Sequence, residues 1–578
     1  MTPDPIFPAN RFCRFDEMTE LLHRAAHHHP DLMTVTTIGR SFEGRDIWLA
    51  TITDTTTGPA DEKSAHWTDA NIHATEVAGG AAALYLIRHL LEGHARGDAT
   101  VRKALSERTF YVVPRVNPDG VEAFLADHPR YLRSSIRSWP WVDGRRWPGS
   151  EAHDIDGDGR ILTMRVPDVN GAWMEHADDG RVMVPVPMSA ETDKARYRLL
   201  VEGSLSDYDG FTIPAVGDIA GIDLNRNFPA DWSISTRGAG DYPTSEPEVA
   251  AVVRAAKARP NICSYNALHT FGGVLLRPSS TRPDAALPHV DLWTFGELGA
   301  QATRLTGYRV HSVYEDFTWD RTALMSGAGD DWAYEHLGVY GWTTEFWDVV
   351  RAATGKASST TIWEFGPTPE EELAVAAWAD THAPEVGYVR WYGFDHPQLG
   401  RVELGGADGF NLWSNPPLGL LEAEIAPHAE VAVMLALAGP RLEIVMASAD
   451  FLGNEHWRVR AGLANVGWLP TTVTAHAAKE SLVLPLTAHV SGAGITVLGA
   501  DRHRLGQLAG RSGFRLDGGA RSDRTPDRAL AEWVIVAPEG TVVDIVGWHQ
   551  RAGVARRSVT LRHTDTDVGA DTDVAEAQ

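Results

Sequence analysis

The residue types that could do chemistry fall in four short segments of this chain. His73-Ala74-Thr75-Glu76 comes first, then Asp223-Leu224-Asn225-Arg226-Asn227-Phe228, then Leu268-His269-Thr270-Phe271, and last Thr343-Thr344-Glu345-Phe346-Trp347. Together they offer two imidazoles and one carboxylate for a metal, an asparagine–arginine pair for an anion, and a further glutamate. That set suits metal-assisted hydrolysis of a peptide bond. Zinc in hydrolases commonly takes three protein ligands and keeps a fourth position for water. His73 and Glu76 stand three positions apart. In a helical turn or tight loop that spacing puts both side chains on one side of the backbone. His269 is the distant third candidate ligand. The run His27-His28-His29 reads differently: it sits at a polar helix end and is expected to be a solvated surface.

The elements that must position these segments alternate between helix and strand over residues 1–395. Met18, Leu21, Leu22 and Ala25 give 16–28 helical periodicity ending before Pro30, and 34–38 and 46–53 are β-branched strand candidates joined by a glycine-containing turn. A strongly apolar helix is expected at 81–91, directly after the His73/Glu76 segment, and buried strands at 110–113 and 264–269. Ser245-Glu246-Pro247-Glu248 reads as a capping box with an early proline. Such alternation argues for α/β layering with a mainly parallel or mixed sheet. Ligands in such folds sit at the carboxyl ends of strands, and His269 and Glu345 lie at or near the ends of strand-like runs.

Residues 138–215, rich in Asp, Gly, Pro and Trp, break the pattern and read as an insertion over the domain. Beyond about 400, short alternating strands are expected at 422–425, 457–463, 472–476, 482–486 and 533–537, which suggests a β-sandwich over 396–563. The acidic end, 564–578, reads as disordered.

The formal net charge of −25 makes nucleic acid and anionic membrane surfaces poor partners. Two cysteines, Cys13 and Cys263, give neither a disulfide framework nor a thiolate metal site. The first residues lack the pattern of a secretory signal, and no apolar run is long enough to span a bilayer. A cytoplasmic protein is the expectation; the oligomeric state is left open.

Taken in order, the His-x-x-Glu motif, Asn117-Pro118-Asp119-Gly120, the Asp223–Phe228 segment, Ser245-Glu246-Pro247-Glu248, Leu268-His269 and Thr344-Glu345-Phe346 resemble the zinc metallocarboxypeptidase family that includes the pancreatic-type carboxypeptidases A and B. The resemblance covers about 10–390, less the insertion. It implies the family's α/β/α fold with a mixed twisted sheet, one Zn2+ held by His73, Glu76 and His269, and a peptide substrate. It implies Glu345 as the base, in a segment apolar enough to raise its pKa by desolvation. It implies Arg133 beside the oxyanion, with Arg130 and Arg137 as near rivals. Asn225 and Arg226 match the pair that holds the substrate's C-terminal carboxylate, a sound use of a guanidinium. Asp223 matches a carboxylate that orients the first zinc histidine. Asp330, in Ser326-Gly327-Ala328-Gly329-Asp330-Asp331-Trp332, falls where members cleaving basic C-terminal residues carry aspartate. One departure concerns the family's lid tyrosine: a gap-free count lands on Ala323, leaving Tyr314 or no residue for that role.

Within the insertion, Asp154, Asp156, Asp158, Gly159 and Ile161 partly match a calcium loop, but Arg165 stands where a bidentate glutamate is wanted. Calcium and an ordinary Asp-Gly turn are both open at this point. The insertion is expected to rim the cleft. Two further readings of the whole compete with a carboxypeptidase: a zinc amidase acting on cell-wall or other unusual peptides, and a non-catalytic zinc- or peptide-binding module.

Overall fold

The central strands mix apolar residues with buried polar ones, as in Ser64–Ala70 and Ile262–Thr270. In a computed structural model the described residues are 6–137, 149–188, 194–206, 208–213, 222–318, 320–512 and 524–563. Eight strands make the main sheet: β1 (Met33–Arg40), β2 (Asp46–Ile52), β3 (Ser64–Ala70), β4 (Arg108–Val113), β5 (Ile262–Thr270), β6 (Val274–Arg277), β7 (Arg309–Ser312) and β8 (Tyr340–Phe346). Their order across the sheet is β1-β2-β4-β3-β5-β8-β6-β7. The middle, β4-β3-β5-β8, is parallel, and antiparallel pairs flank it, so the sheet is mixed. Strands β3, β4 and β5 are buried along their whole length, as expected where helices cover both faces of a parallel sheet.

This topology gathers the chemistry at one edge. The ladder pairs His269 directly with Glu345 and Leu268 with Ala70. His73 follows three residues after β3 ends, so all three segments leave the sheet at its carboxyl edge. Glu76 is the N-cap of the helix Val77–Arg96. That helix begins against β5 because Gly79 and Gly80 carry no side chain: a Cβ at Gly79 would lie 2.6 Å from the Leu268 carbonyl oxygen, and one at Gly80 2.0 Å from Asn71 Oδ1.

The C-terminal boundary differs from the sequence expectation. The chain divides into two compact units, 1–439 with 473–482, and 440–472 with 483–578, not at 395/396. Residues 396–439 stay with the first unit because the helix Leu418–Ala438 buries Leu421, Ile425, Ala429, Ala432, Val433 and Ala436 in its core. The strand expected at 422–425 is therefore part of that helix, whose apolar residues are too many to show a clear period. Residues expected as strand at 472–476 instead enter the short helix Ala475–Lys479, capped by the Thr474 hydroxyl, and of 482–486 only Leu486 is strand. The capping box at Ser245 is also absent. Pro247 opens the helix Pro247–Lys257, but Glu246 makes no side-chain cap bond, and Glu248 accepts from Phe42 N–H (2.8 Å) instead.

Among the described residues, the second unit forms two four-stranded antiparallel sheets. Trp457, Val459, Ala461 and Leu463 from one meet Ala488, Val490, Val543 and Ile545 from the other in a single core, which is a β-sandwich. In the insertion, the described residues form strands rather than loop: Thr163–Pro167, Trp173–Glu175, Met183–Pro185 and Tyr197–Val201 join Val389–His396 and Gly400–Gly406 in a six-stranded sheet. The tail 564–578 lies outside the described residues. No described helix is long and apolar enough to cross a membrane.

Candidate metal centre and cleft

His73, Glu76 and His269 converge as the sequence expects. All three are buried, and their donor atoms lie within 4.8 Å of one another. The Glu76 carboxylate is the hub: Oε1 is 2.7 Å from His73 Nδ1 and Oε2 is 2.9 Å from His269 Nδ1. The two Nδ1 atoms are 3.2 Å apart. The two imidazoles hold Glu76 well below the usual carboxylate range, outweighing the opposing effect of burial. Two buried imidazole nitrogens facing each other across a carboxylate form a donor set that suits a cation such as zinc, so the residues present fit that ion.

A relay of polar contacts fixes the set. The other nitrogen of His73, Nε2, lies 3.1 Å from Asp223 Oδ1, and Arg133 Nε donates to Asp223 Oδ2 (2.9 Å). Burial works against the Asp223 charge, but Arg133, His73 and Arg226 more than offset it, so its pKa is strongly lowered. Arg133 and the turn before Glu76 are stitched together: Ala74 N–H donates to the Arg133 carbonyl (2.9 Å), and Ser134 Oγ donates to the Ile72 carbonyl (3.1 Å). Asn117 bonds the carbonyls of Ile72 and Ser134 while capping Gly120 N–H (3.0 Å). The Asn117-Pro118-Asp119-Gly120 motif marked this place, but its stitching role was not read from the sequence.

Glu345 stands beside His269 on the adjoining strand. Its Oε2 is sealed from solvent and finds no hydrogen-bond partner among the described residues; neither does His269 Nε2. Burial, above all, pushes Glu345 up to about 8, with Glu76 and Asp330 adding to the rise and His269 and Arg133 opposing it. The expectation of a desolvated carboxylate is met.

Asn225 and Arg226 follow Asp223 in a short helical turn, Leu224–Arg226. Asn225 Oδ1 accepts from Gly329 N–H (2.9 Å), which ties this turn to the helix Gly329–Trp332 carrying Asp330. The half-buried Arg226 donates through Nη1 to the Asn225 carbonyl (2.8 Å) and feels the charges of Asp223, Asp330 and Asp331. Asp330 is buried and its pKa is raised by that burial, against the pull of His269 and Arg226. Its neighbour Asp331 is engaged elsewhere, accepting from Ser280 N–H at 3.1 and 3.0 Å. Tyr265 on β5 stands behind the Asp330 turn: a Cβ at Gly329 would come within 2.9 Å of its hydroxyl. Nothing in the sequence marked Tyr265, a single tyrosine within a strand buried along its whole length.

Several rivals fall elsewhere. Arg137 pairs with Glu246 (2.7 Å) and Asp241 (3.3 Å), and Arg130 makes a strand bridge to His153. The Tyr314 ring lies 3.9 Å beneath the Arg321 guanidinium, and its N–H donates to the Ser279 carbonyl. The calcium expectation is not supported. Asp158 pairs with Arg160 (2.7 Å), Asp156 accepts from Tyr392 (2.6 Å), and Asp154 accepts from Gly157 and Gly159 N–H. Glu202, not Asp158, completes the acidic group with Asp154 and Asp156, and its oxygens accept from Ile155 and Leu162 N–H. These turn and strand bonds account for the carboxylates, and Arg165 is spent on Glu175 and Glu403.

Residues 18–361 match the family profile described as zinc carboxypeptidase, and residues 441–560 match a domain of unknown function. A zinc carboxypeptidase of Saccharothrix mutabilis subsp. capreolus is 30% identical over 142 residues, 25% of this chain and 30% of that protein's length. Carboxypeptidase O of Bos taurus is 22% identical over 354 residues, 59% of this chain and 71% of that protein. Among solved structures, thrombin activatable fibrinolysis inhibitor aligns over 75% of this chain and 77% of its own, with 18% identity and a TM-score of 0.42.

Proposed function

Since the chain belongs to the zinc carboxypeptidase family, we propose that it is a metallocarboxypeptidase that removes the C-terminal residue of a peptide, with a preference for a basic one. The observation that carries this reading is the convergence of His73, Glu76 and His269 beside a Glu345 carboxylate oxygen that has no hydrogen-bond partner among the described residues. These three residues would hold a zinc ion, which when bound supplies Lewis acidity and lowers the pKa of water.

The chain's own groups supply the rest. Glu345 accepts the proton of the attacking water and later delivers it to the leaving amine. Its raised pKa suits that exchange, because a base is most effective near the working pH. Arg133, its plane fixed by the bond to Asp223, is the cation for charge developing on the carbonyl oxygen. Arg226 and the side-chain amide of Asn225 take the substrate's terminal carboxylate, which makes the activity an exopeptidase one. Asp330 is the preference residue: burial disfavours its charge, and an incoming Lys or Arg side chain restores it by pairing.

A zinc amidase is the second reading, favoured by Ala323 at the counted position of the family's lid tyrosine. The two separate on one experiment. Zinc-loaded protein is given a blocked dipeptide ending in a free carboxylate and the same dipeptide ending in an amide. Chelator-sensitive cleavage of the acid alone supports the carboxypeptidase. Equal cleavage of the amide transfers the reading to the amidase, and cleavage of neither refutes both.

A further inference from the structure

The zinc carboxypeptidase profile ends at residue 361, yet a later segment grips the centre at two points. The first grip is Asn415, fully buried. Its Nδ2 donates to the Thr75 carbonyl (2.8 Å) and its Oδ1 accepts from Ala78 N–H (2.9 Å). One side chain thus spans the backbone on both sides of Glu76, the hub of the donor set. A further bond to the Phe410 carbonyl (2.9 Å) anchors Asn415 in its own turn, Gly409–Ser414, which Asp408 caps through Phe410 and Asn411 N–H.

The second grip is at the end of β8. Trp347, two residues after Glu345, holds a left-handed backbone with φ of 69°, a conformation that L side chains rarely adopt and the surroundings must impose. Four bonds impose it. Trp347 N–H donates to Tyr308 Oη (2.9 Å) and to Glu424 Oε1 (3.3 Å), its carbonyl accepts from Gly272 N–H (2.7 Å), and its indole donates to the Leu412 carbonyl (2.7 Å). Tyr308 itself donates to Glu424. One turn further along the helix Leu418–Ala438, His428 sets its ring edge-on to Phe346 (4.6 Å) and Tyr308 (4.7 Å).

We infer that residues 408–438 form a buttress that positions both halves of the centre, Asn415 holding the metal-binding turn and Glu424 holding the strand end that aims Glu345. Both are positioning residues, acting through Glu76 and through Trp347. The inference rests on the zinc reading proposed above. It places residues beyond the matched part of the chain in control of metal affinity and of the base, and it assigns the two roles to separate residues.

The test measures zinc affinity by competition with a chromophoric chelator, and kcat and KM on a blocked dipeptide ending in arginine. Asn415→Ala should weaken zinc binding by about 10–100-fold, the range for groups that orient ligands. Glu424→Ala should keep wild-type zinc affinity and KM but lose kcat, and Glu424→Gln, which retains an acceptor for Trp347 and Tyr308, should recover it. Should the alanine variant at 415 not fold, Asn415→Asp carries the same test, since it keeps the acceptor and loses the donor to Thr75. Wild-type zinc affinity in the position-415 variant overturns the inference while leaving the proposed function standing. A joint loss of zinc affinity, KM and kcat in Glu424→Ala also overturns it, as general loosening. Failure of the unmodified protein to take up zinc overturns the proposed function itself and the inference with it.

Discussion

Replacing Asp223 by asparagine isolates the link that this carboxylate makes between His73 and Arg133. The carboxylate accepts from two charged or chargeable groups at once, His73 Nε2 at 3.1 Å and Arg133 Nε at 2.9 Å, and is only 12% exposed. Asparagine keeps the shape but has one acceptor oxygen and no charge, so it satisfies one partner and turns its amide toward the other. A hydrogen bond to a charged group contributes about 1.5–3 kcal/mol. Losing one of the two, expressed as ligand orientation, corresponds to about 10–100-fold weaker zinc binding. Chelator competition reads this directly. Thermal unfolding gives an independent reading, because the stabilisation by a fixed excess of zinc should shrink by about 1.4–2.7 kcal/mol. An Asp223→Asn protein that binds zinc indistinguishably from wild type would refute the relay, whatever its activity.

Three further outcomes follow from the same geometry. Arg226→Gln should raise KM for peptides with a free C-terminal carboxylate and leave cleavage chemistry largely intact; an unchanged KM would remove Arg226 from substrate binding. Asp330→Asn should lower kcat/KM for C-terminal Arg relative to Leu by about 2 kcal/mol or more, as for other buried charge pairs losing one partner; an unaltered ratio would show that another group sets the preference. Glu248 tests pH dependence of stability. Burial pushes it up to about 7 from 4.5, so the folded chain binds more protons than the unfolded one between those values. Its folded form therefore loses up to about 3 kcal/mol as pH rises through that window. Glu248→Gln should gain stability over wild type at pH 8 and not at pH 4, and melting curves showing an equal gap at both would contradict this.

The central strands were legible in part, through short apolar stretches such as 110–113 in β4, and because chemistry-bearing residues stand where strand-like runs end. His73, Glu76 and His269 were readable as candidate ligands from type and spacing, Glu345 as the base only through the family resemblance, and the ladder places His269 and Glu345 opposite each other. What failed to read were contacts made across long sequence separation. Asn415 touches Thr75 across 340 positions, and no local pattern marks a single asparagine in a turn. The helix Leu418–Ala438 was misread in part because it is apolar nearly all round, which erases the period that separates helix from strand. Arg133 was favoured over Arg130 and Arg137 by the family resemblance alone; that Arg137 pairs with Glu246 became visible only in the structure. The calcium loop misled because aspartates at alternate positions serve equally well to accept turn N–H groups, and here they do.

On the function proposed above, a zinc-bound His73-Glu76-His269 set and the Glu345 carboxylate together cut the last peptide bond. The most direct measurement is hydrolysis of blocked dipeptides ending in Arg, Lys, Phe, Leu and Glu by zinc-loaded wild type and by Glu345→Gln, each with and without a chelator. Release of Arg and Lys is expected foremost, abolished by chelation and reduced by about 100- to 10,000-fold in the variant, the share a general base contributes. Full activity in Glu345→Gln, or activity indifferent to chelation, would contradict it.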